Sequence, residues 1–147
     1  MLKRTSLLLT LLIFTWLPAV AVRAASPVTQ QVTLGGHRFT VEIANTDAMR
    51  ERGLMFRTHM AANHGMLFVY SDAQPRYFWM KNTLIPLDII FFDTHQRLIN
   101  VSADTPPCKT EQCPTYTSAA PAQYVLELNA GMAKKLGLKP GERFTIR

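Results

Sequence analysis

The amino-acid sequence predicts a mainly β domain, an antiparallel β-sandwich or partly open, jelly-roll-like barrel with two short helices. Three observations predict it. Short apolar-rich runs recur between residues 25 and 147, several with two-residue alternation. Gly, Pro, Asn and Asp turn signals separate them, rather than crossover helices. Only two segments carry helix start and stop signals, and both are short.

Val28 to Leu34 reads as a strand broken by Gly35-Gly36, and His37 to Ile43 alternates as its hairpin partner. Phe39, Val41 and Ile43 point one way and Arg38, Thr40 and Glu42 the other, which is the pattern of a half-buried antiparallel pair. Asn45 or Thr46 caps a short helix that reaches Arg52. Asp47 in its first turn and Arg50 and Arg52 near its end complement the helix dipole, and Gly53 is the stop. Leu54-Met55-Phe56 continues as an apolar link with Arg57 behind it, and a loop from His59 to Gly65 leads into a strand from Met66 to Tyr70.

After Pro75, Tyr77 to Thr83 reads as a strand. Pro86 cannot donate to a sheet ladder, so Leu84 to Pro86 is a bend or an edge. Leu87 to Phe92 resumes with both faces apolar except for Asp88, Asp93 to Gln96 turns tightly, and Arg97 to Ser102 returns as the partner strand. Asp104 to Ala120 is long and proline-rich and reads as a surface flap. Gln123 to Leu128 places Val125 and Glu127 on one face and Leu126 and Leu128 on the other. Asn129 caps a second helix, Ala130 to Leu136, closed by Gly137, and Arg143 to Ile146 is a closing strand.

Lys3 and Arg4 precede an uncharged run from Leu7 to Val22, and Val22-Arg23-Ala24-Ala25 follows. That is the layout of a signal peptide cut after Ala24, with residues 25–147 left as one domain in the periplasm or outside the cell. The run contains Pro18 and is short of the ~20 apolar residues that span a bilayer, so no stable membrane span is expected after cleavage. Cleavage would remove Lys3, Arg4 and Arg23, taking the 16 basic residues to 13 against 10 acidic ones and the net charge from +6 to +3. The remaining cations are scattered, with no basic run interleaved with aromatics, so nucleic-acid binding is not supported. Cys108 and Cys113 are the two cysteines, and in an oxidising compartment they read as a local disulfide that clamps the flap.

The most apolar stretch of the domain, Phe78 to Phe92, carries Lys81, Asn82 and Asp88. Polar groups at such positions are either satisfied structurally or serve a site. In the first case Asp88 and Asn82 tie down the backbone around Pro86. In the second, Trp79, Lys81, Asn82 and Asp88 line a small polar pocket with Trp79 as a flat wall. Glu127 either bonds Arg57 or loop N–H groups, or joins Asp88 as the second carboxylate of a glycosidase-type site.

Four blocks of sequence carry a resemblance. They are Arg52-Gly53-Leu54-Met55-x-Arg57; Gly65-Met66-Leu67-Phe68; Trp79-Met80-Lys81-Asn82-Thr83-x-x-Pro86-Leu87-Asp88; and Leu126-Glu127-x-Asn129-Ala130-Gly131. Their order over residues 38–147 resembles the uncharacterised bacterial and archaeal family known as domain of unknown function 192. The resemblance implies a small β-sandwich or barrel, often behind a signal peptide or membrane segment. It implies no activity, and the cysteine pair resembles one shared by many exported members.

The reading that follows is an exported accessory or binding protein of the cell envelope. Its partner is a small polar ligand or an envelope protein, and its pocket is built from Trp79, Lys81, Asn82, Asp88 and Glu127 with Arg57 adding charge. No cofactor or metal is expected, and whether the chain is an enzyme is left open. One alternative is a hydrolase of cell-wall or carbohydrate substrates that uses Asp88 and Glu127. The other is Cu(I) handling by Met49, Met55, Met60, Met66, Met80 and Met132. Those thioethers are soft ligands, but they lack the close Met-x-Met spacing of a copper loop and equally suit core packing.

Overall fold

The computed structural model describes residues 27–147, so the segment read as a signal peptide lies outside the described residues. In chain order the elements are β1 (Thr29–Leu34), β2 (His37–Ala44), α1 (Asp47–Arg52), β3 (His64–Gln74), β4 (Tyr77–Trp79), β5 (Leu87–Phe92), β6 (Leu98–Thr105), β7 (Thr115–Thr117), β8 (Ala122–Asn129), α2 (Met132–Leu136) and β9 (Thr145–Ile146). Seven strands form one sheet in the order β6-β5-β8-β3-β2-β1-β9, curled into a half-barrel, and β4 and β7 form a small second sheet. The fold is mainly β with two short helices, as the alternation predicts. No helix among the described residues is long and apolar enough to cross a membrane.

The strand pairs are antiparallel with one exception, β2 with β3, which run parallel from Thr40 opposite His64 to Ala44 opposite Phe68. Parallel neighbours need a crossover connection of a dozen residues or more. Residues 45–63 supply it, and α1, the short capped helix that the sequence predicts, lies in it. Thr46 caps α1 by accepting from the Met49 N–H at 3.3 Å, and Gly53 ends it at φ +45°. The crossover lays α1 against the sheet face that carries the site.

Alternation sorts the core onto the two faces of the sheet. Phe39, Val41, Leu67, Ile90, Phe92, Leu126, Leu128 and Phe144 pack on one face, covered by Met132, Leu136 and Leu138 from α2 and the turn after it. Phe68, Phe78, Met80, Ile85, Ile89, Phe91 and Val125 pack on the other, where Phe78 meets Phe68 and Phe91 edge to face at 4.9 and 5.8 Å. β5 is buried along its whole length because both faces are covered.

Two segments beside the site differ from the local reading, as do the start of α2 and the length of β3. The strand after Pro75 ends at Trp79, and Met80 to Pro86 is irregular: Thr83 N–H donates to Met80 O at 3.1 Å, and Asn82 takes φ +57°. The flap is less loose than its composition implies. Thr115–Thr117 pairs with Tyr77–Trp79, and the Cys108 N–H donates to Met80 O at 3.2 Å. Cys108 and Cys113 form the disulfide, with Cα atoms 5.7 Å apart, and it holds the flap against Met80 and Lys81.

Gly65 sits where β3 and β8 approach each other. A Cβ there would stand 2.5 Å from the Glu127 carbonyl oxygen and 2.7 Å from Leu128 Cδ2. Both neighbours belong to the core ladder and have little room to move. Gly65→Ala is therefore expected to lower stability by about 2–3 kcal/mol, read as the shift of a urea unfolding midpoint. An unchanged midpoint would show that the two strands can separate freely there.

Candidate functional site

Three stretches distant in sequence meet at the site: the end of α1 with the link after it, the irregular turn from Trp79 to Thr83, and Glu127 on β8. The Phe56 N–H donates to Asn82 O at 2.8 Å, and the Asn82 side-chain amide lies 4.0 Å from Met55 Sδ. This stitch aligns the link with the turn. Asn82 tolerates its left-handed backbone because its short polar side chain suits that region, while Phe56 adopts φ +65° as a bulky residue, an unfavourable conformation.

An open groove of about 420 Å³ lies between these loops, with Arg52, Met55, Trp79, Lys81 and Asn82 among its walls. Trp79 is 51 % exposed, and Lys81 Nζ lies 5.6 Å from the centre of its indole. Adjoining the groove is a smaller, half-open cavity of about 30 Å³, with Leu54, Phe68, Phe78, Trp79, Thr83 and Glu127 among its walls. Glu51, Arg52, Met55 and Trp79 line both spaces, so the smaller cavity and the open groove share a wall.

Glu127 is the feature that the packing does not explain. It is 5 % exposed, and its Oε2 is buried without a hydrogen-bond partner among the described residues. Burial pushes its carboxyl up to about 8, so at neutral pH the group holds its proton and can donate a hydrogen bond. Tyr70 on β3 is close enough to feel Glu127; burial pushes its phenol up, against the lowering pull of Arg76 and Arg50. Those two guanidiniums lie over the Tyr70 ring at 3.6 and 4.9 Å, with Arg50 further bound to Val69 O and Asp47.

Asp88 and Arg57 lie elsewhere, which corrects the six-residue pocket. Asp88 stands opposite Leu128, on the face covered by α2, whereas Glu127 stands opposite Ile89 and Met66 on the other face. Asp88 Oδ1 accepts from the N–H groups of Asp104 and Gly131 at 2.8 and 3.2 Å, and Oδ2 from Ala133 at 2.7 Å. The carboxylate therefore ties the end of β6 to the start of α2, not to Lys81 or Asn82. Arg57 pairs with Glu42 at 2.6 Å and leaves Glu127 unbonded.

This separation removes the geometry needed by the two-carboxylate hydrolase, because Asp88 and Glu127 project from opposite sides of the sheet. The copper reading finds no support either. Met66 and Met80 are buried in the core with Met49 and Met60 packed against them, and Met132 lies against the other cluster. Among the described residues no three His, Cys, Asp or Glu side chains are grouped to hold a metal.

Glu51, Arg52 and Met55 are not assigned to the pocket by the sequence: Arg52 reads there as a helix end, and Met55 as an apolar link or one of the candidate copper methionines. Both Arg52 and Met55 fall in the first of the resembling blocks.

Comparison with the curated proteins finds no match. Among solved structures, a Sinorhizobium meliloti protein provisionally described as a transcription regulator is 39% identical, the match covering 84% of this chain and 98% of the other with a TM-score of 0.78. A Novosphingobium aromaticivorans protein of unknown function is 37% identical, covering 87% of this chain and 98% of the other with a TM-score of 0.72. The blocks that build the groove, Arg52 to Met55 and Trp79 to Asn82, fall within residues 30–146, which match one family's sequence model throughout. The chain accordingly belongs to the family described as domain of unknown function 192, uncharacterized ACR.

Proposed function

We propose that the chain is an exported accessory protein of the cell envelope that binds a small polar ligand in the groove beside the Glu127 cavity. The observation that carries the reading is the Glu127 carboxyl, buried and unbonded in the lining of a cavity that shares a wall with that groove. A fold does not keep a buried polar atom without a partner unless something is gained by it. With Asp88 on the opposite face of the sheet, the two-carboxylate hydrolysis loses its pair, and binding is the reading that the site supports. Export draws support from the signal-like layout of residues 1–24 and from the Cys108–Cys113 disulfide, which persists in oxidising compartments.

The description of the Sinorhizobium meliloti protein would bring DNA contact to this chain. The helices among the described residues span six and five residues, too short to lie along a major groove as a recognition helix, and the groove at Trp79 suits a small molecule better.

The test is a ligand-observed NMR screen of the purified protein against a mixed set of small neutral, anionic and cationic polar molecules. Molecules that bind are expected to lose their signal with Glu127→Leu and Trp79→Ala, while circular dichroism shows both variants folded. If no molecule in the set depends on both residues, the pocket reading fails. Recovery of the protein from the exported fraction with residue 25 at its N-terminus would test export separately.

A further inference from the structure

We infer that the ligand of this groove is a small organic oxyanion with a flat or ring-shaped body. Its anionic end sits between Arg52 and Lys81, its body lies on Trp79, and a hydroxyl or carbonyl oxygen enters the cavity to meet Glu127. The inference rests on the binding reading above and names its ligand class.

The charges at the mouth favour an anion. Arg52 and Lys81 both line the groove, and neither forms a salt bridge among the described residues. Glu51 is the single carboxylate on the same wall, so cations outnumber anions there. Arg52 can offer two parallel N–H donors, the geometry that suits a carboxylate or a phosphate.

Size and chemistry limit the inner end. A space of about 30 Å³ holds one or two water-sized groups. A hydroxyl or carbonyl oxygen fits, and a ring does not. The charged groups around Glu127 are Arg50, Glu51 and Arg52 from α1, with the Tyr70 phenol from β3, while β4 and the turn after it contribute Phe78, Trp79 and Thr83. An ammonium aimed at Glu127 would pass Lys81 and Arg52 and arrive beside Arg50. A neutral oxygen meets no such opposition, and the protonated carboxyl donates to it. Between the two ends, the half-exposed indole offers an electron-rich face to the slightly positive C–H groups of a sugar ring or to a planar body.

Four probes that share one ring separate the possibilities: glucuronate, glucose 6-phosphate, glucose and glucosamine, titrated calorimetrically into the purified full-length protein. At least one of the two anions is expected to bind tenfold or more tightly than glucose, and glucosamine more weakly than glucose. Preference for glucuronate or for the phosphate identifies the oxyanion. Arg52→Ala and Lys81→Ala should each weaken the anion about tenfold without shifting the melting temperature. Affinity in the unaltered protein should fall between pH 6.5 and 9 as Glu127 ionises, and Glu127→Gln, which keeps a donor at every pH, should abolish that fall. Equal or tighter binding of glucose or glucosamine, or no binding by any of the four, overturns the inference. If the mixed screen still yields Glu127-dependent molecules in that event, the pocket stands and only its ligand class is wrong.

Discussion

Asp88→Ala is expected to destabilise the domain by about 3 kcal/mol or more, a large part of the 5–15 kcal/mol that holds such a domain together. The side chain is fully buried, and its two oxygens accept from the N–H groups of Asp104, Gly131 and Ala133. Alanine leaves those three donors without their acceptor, the Ala133 N–H fully buried and the other two partly so, at about 1–3 kcal/mol for each donor that water does not reach. Asp104 holds φ +51°, so the carboxylate also secures a backbone position that is unfavourable for a residue with a side chain, while Gly131 takes φ +82° freely. Asp88→Asn should lose less. Oδ1 can stay in place for Asp104 and Gly131, while the new NH₂ faces the Ala133 donor and loses that one bond. Lys81→Ala is the control, because the Lys81 side chain is exposed and forms no salt bridge among the described residues, and its backbone bridge to Cys108 survives the substitution. Urea titration of the three variants reads the comparison. Equal losses for Asp88→Ala and Lys81→Ala, or less than 1 kcal/mol for Asp88→Ala, would refute a structural role for this carboxylate.

Asp88 also shows where local reading of the sequence stops. The start of α2 looks from its own residues like a helix capped by Asn129. Instead the helix begins at Met132, its first donors are met by a carboxylate more than forty positions earlier, and Asn129 donates to Met60 O and Ala61 O. Features that repeat every two residues were legible. Phe39, Val41 and Ile43 do share one core face, β5 is buried on both faces, and Val125 and Glu127 share a side. The cap, dipole charges and stop of α1 were legible for the same reason, since each lies within one turn of the residue it serves. The parallel pairing of β2 with β3 was not, because a crossover depends on where the chain goes after the helix. The site was half legible. Trp79, Lys81 and Asn82 stand out as polar or aromatic groups at the Pro86 bend, but alternation alone could not show that Asp88 and Glu127 leave the sheet on opposite faces. That requires the register of β5 against β8. Nor could it show that Arg57 pairs with Glu42 and leaves Glu127 without a partner.

Stability should fall by about 3 kcal/mol between pH 5 and pH 8 because of Glu127, a slope that most carboxylates give with the opposite sign. Below about 4.5 the group is protonated in both the folded and the unfolded chain and contributes no pH dependence. Between that value and about 8 the unfolded chain has released the proton while the folded chain still holds it. The folded state then binds more protons than the unfolded one, so each unit of rising pH removes about 1.4 kcal/mol at most, until the folded group also ionises. Glu127→Gln should flatten the slope. The difference between the two proteins isolates Glu127, because every other side chain is common to both. Glu127→Leu should go further and stabilise the protein at pH 8 by about 2 kcal/mol, since it fills the site without burying an unpaired polar atom. Denaturant midpoints measured at half-unit pH steps give all three curves. A slope unchanged by Glu127→Gln would place the proton elsewhere. A Leu variant less stable than the unaltered protein would mean that Glu127 has a structural partner after all. A more stable Leu variant that has lost its ligands would instead tie the instability of this one side chain to binding, which is the trade expected where a fold keeps a polar group for use and not for support.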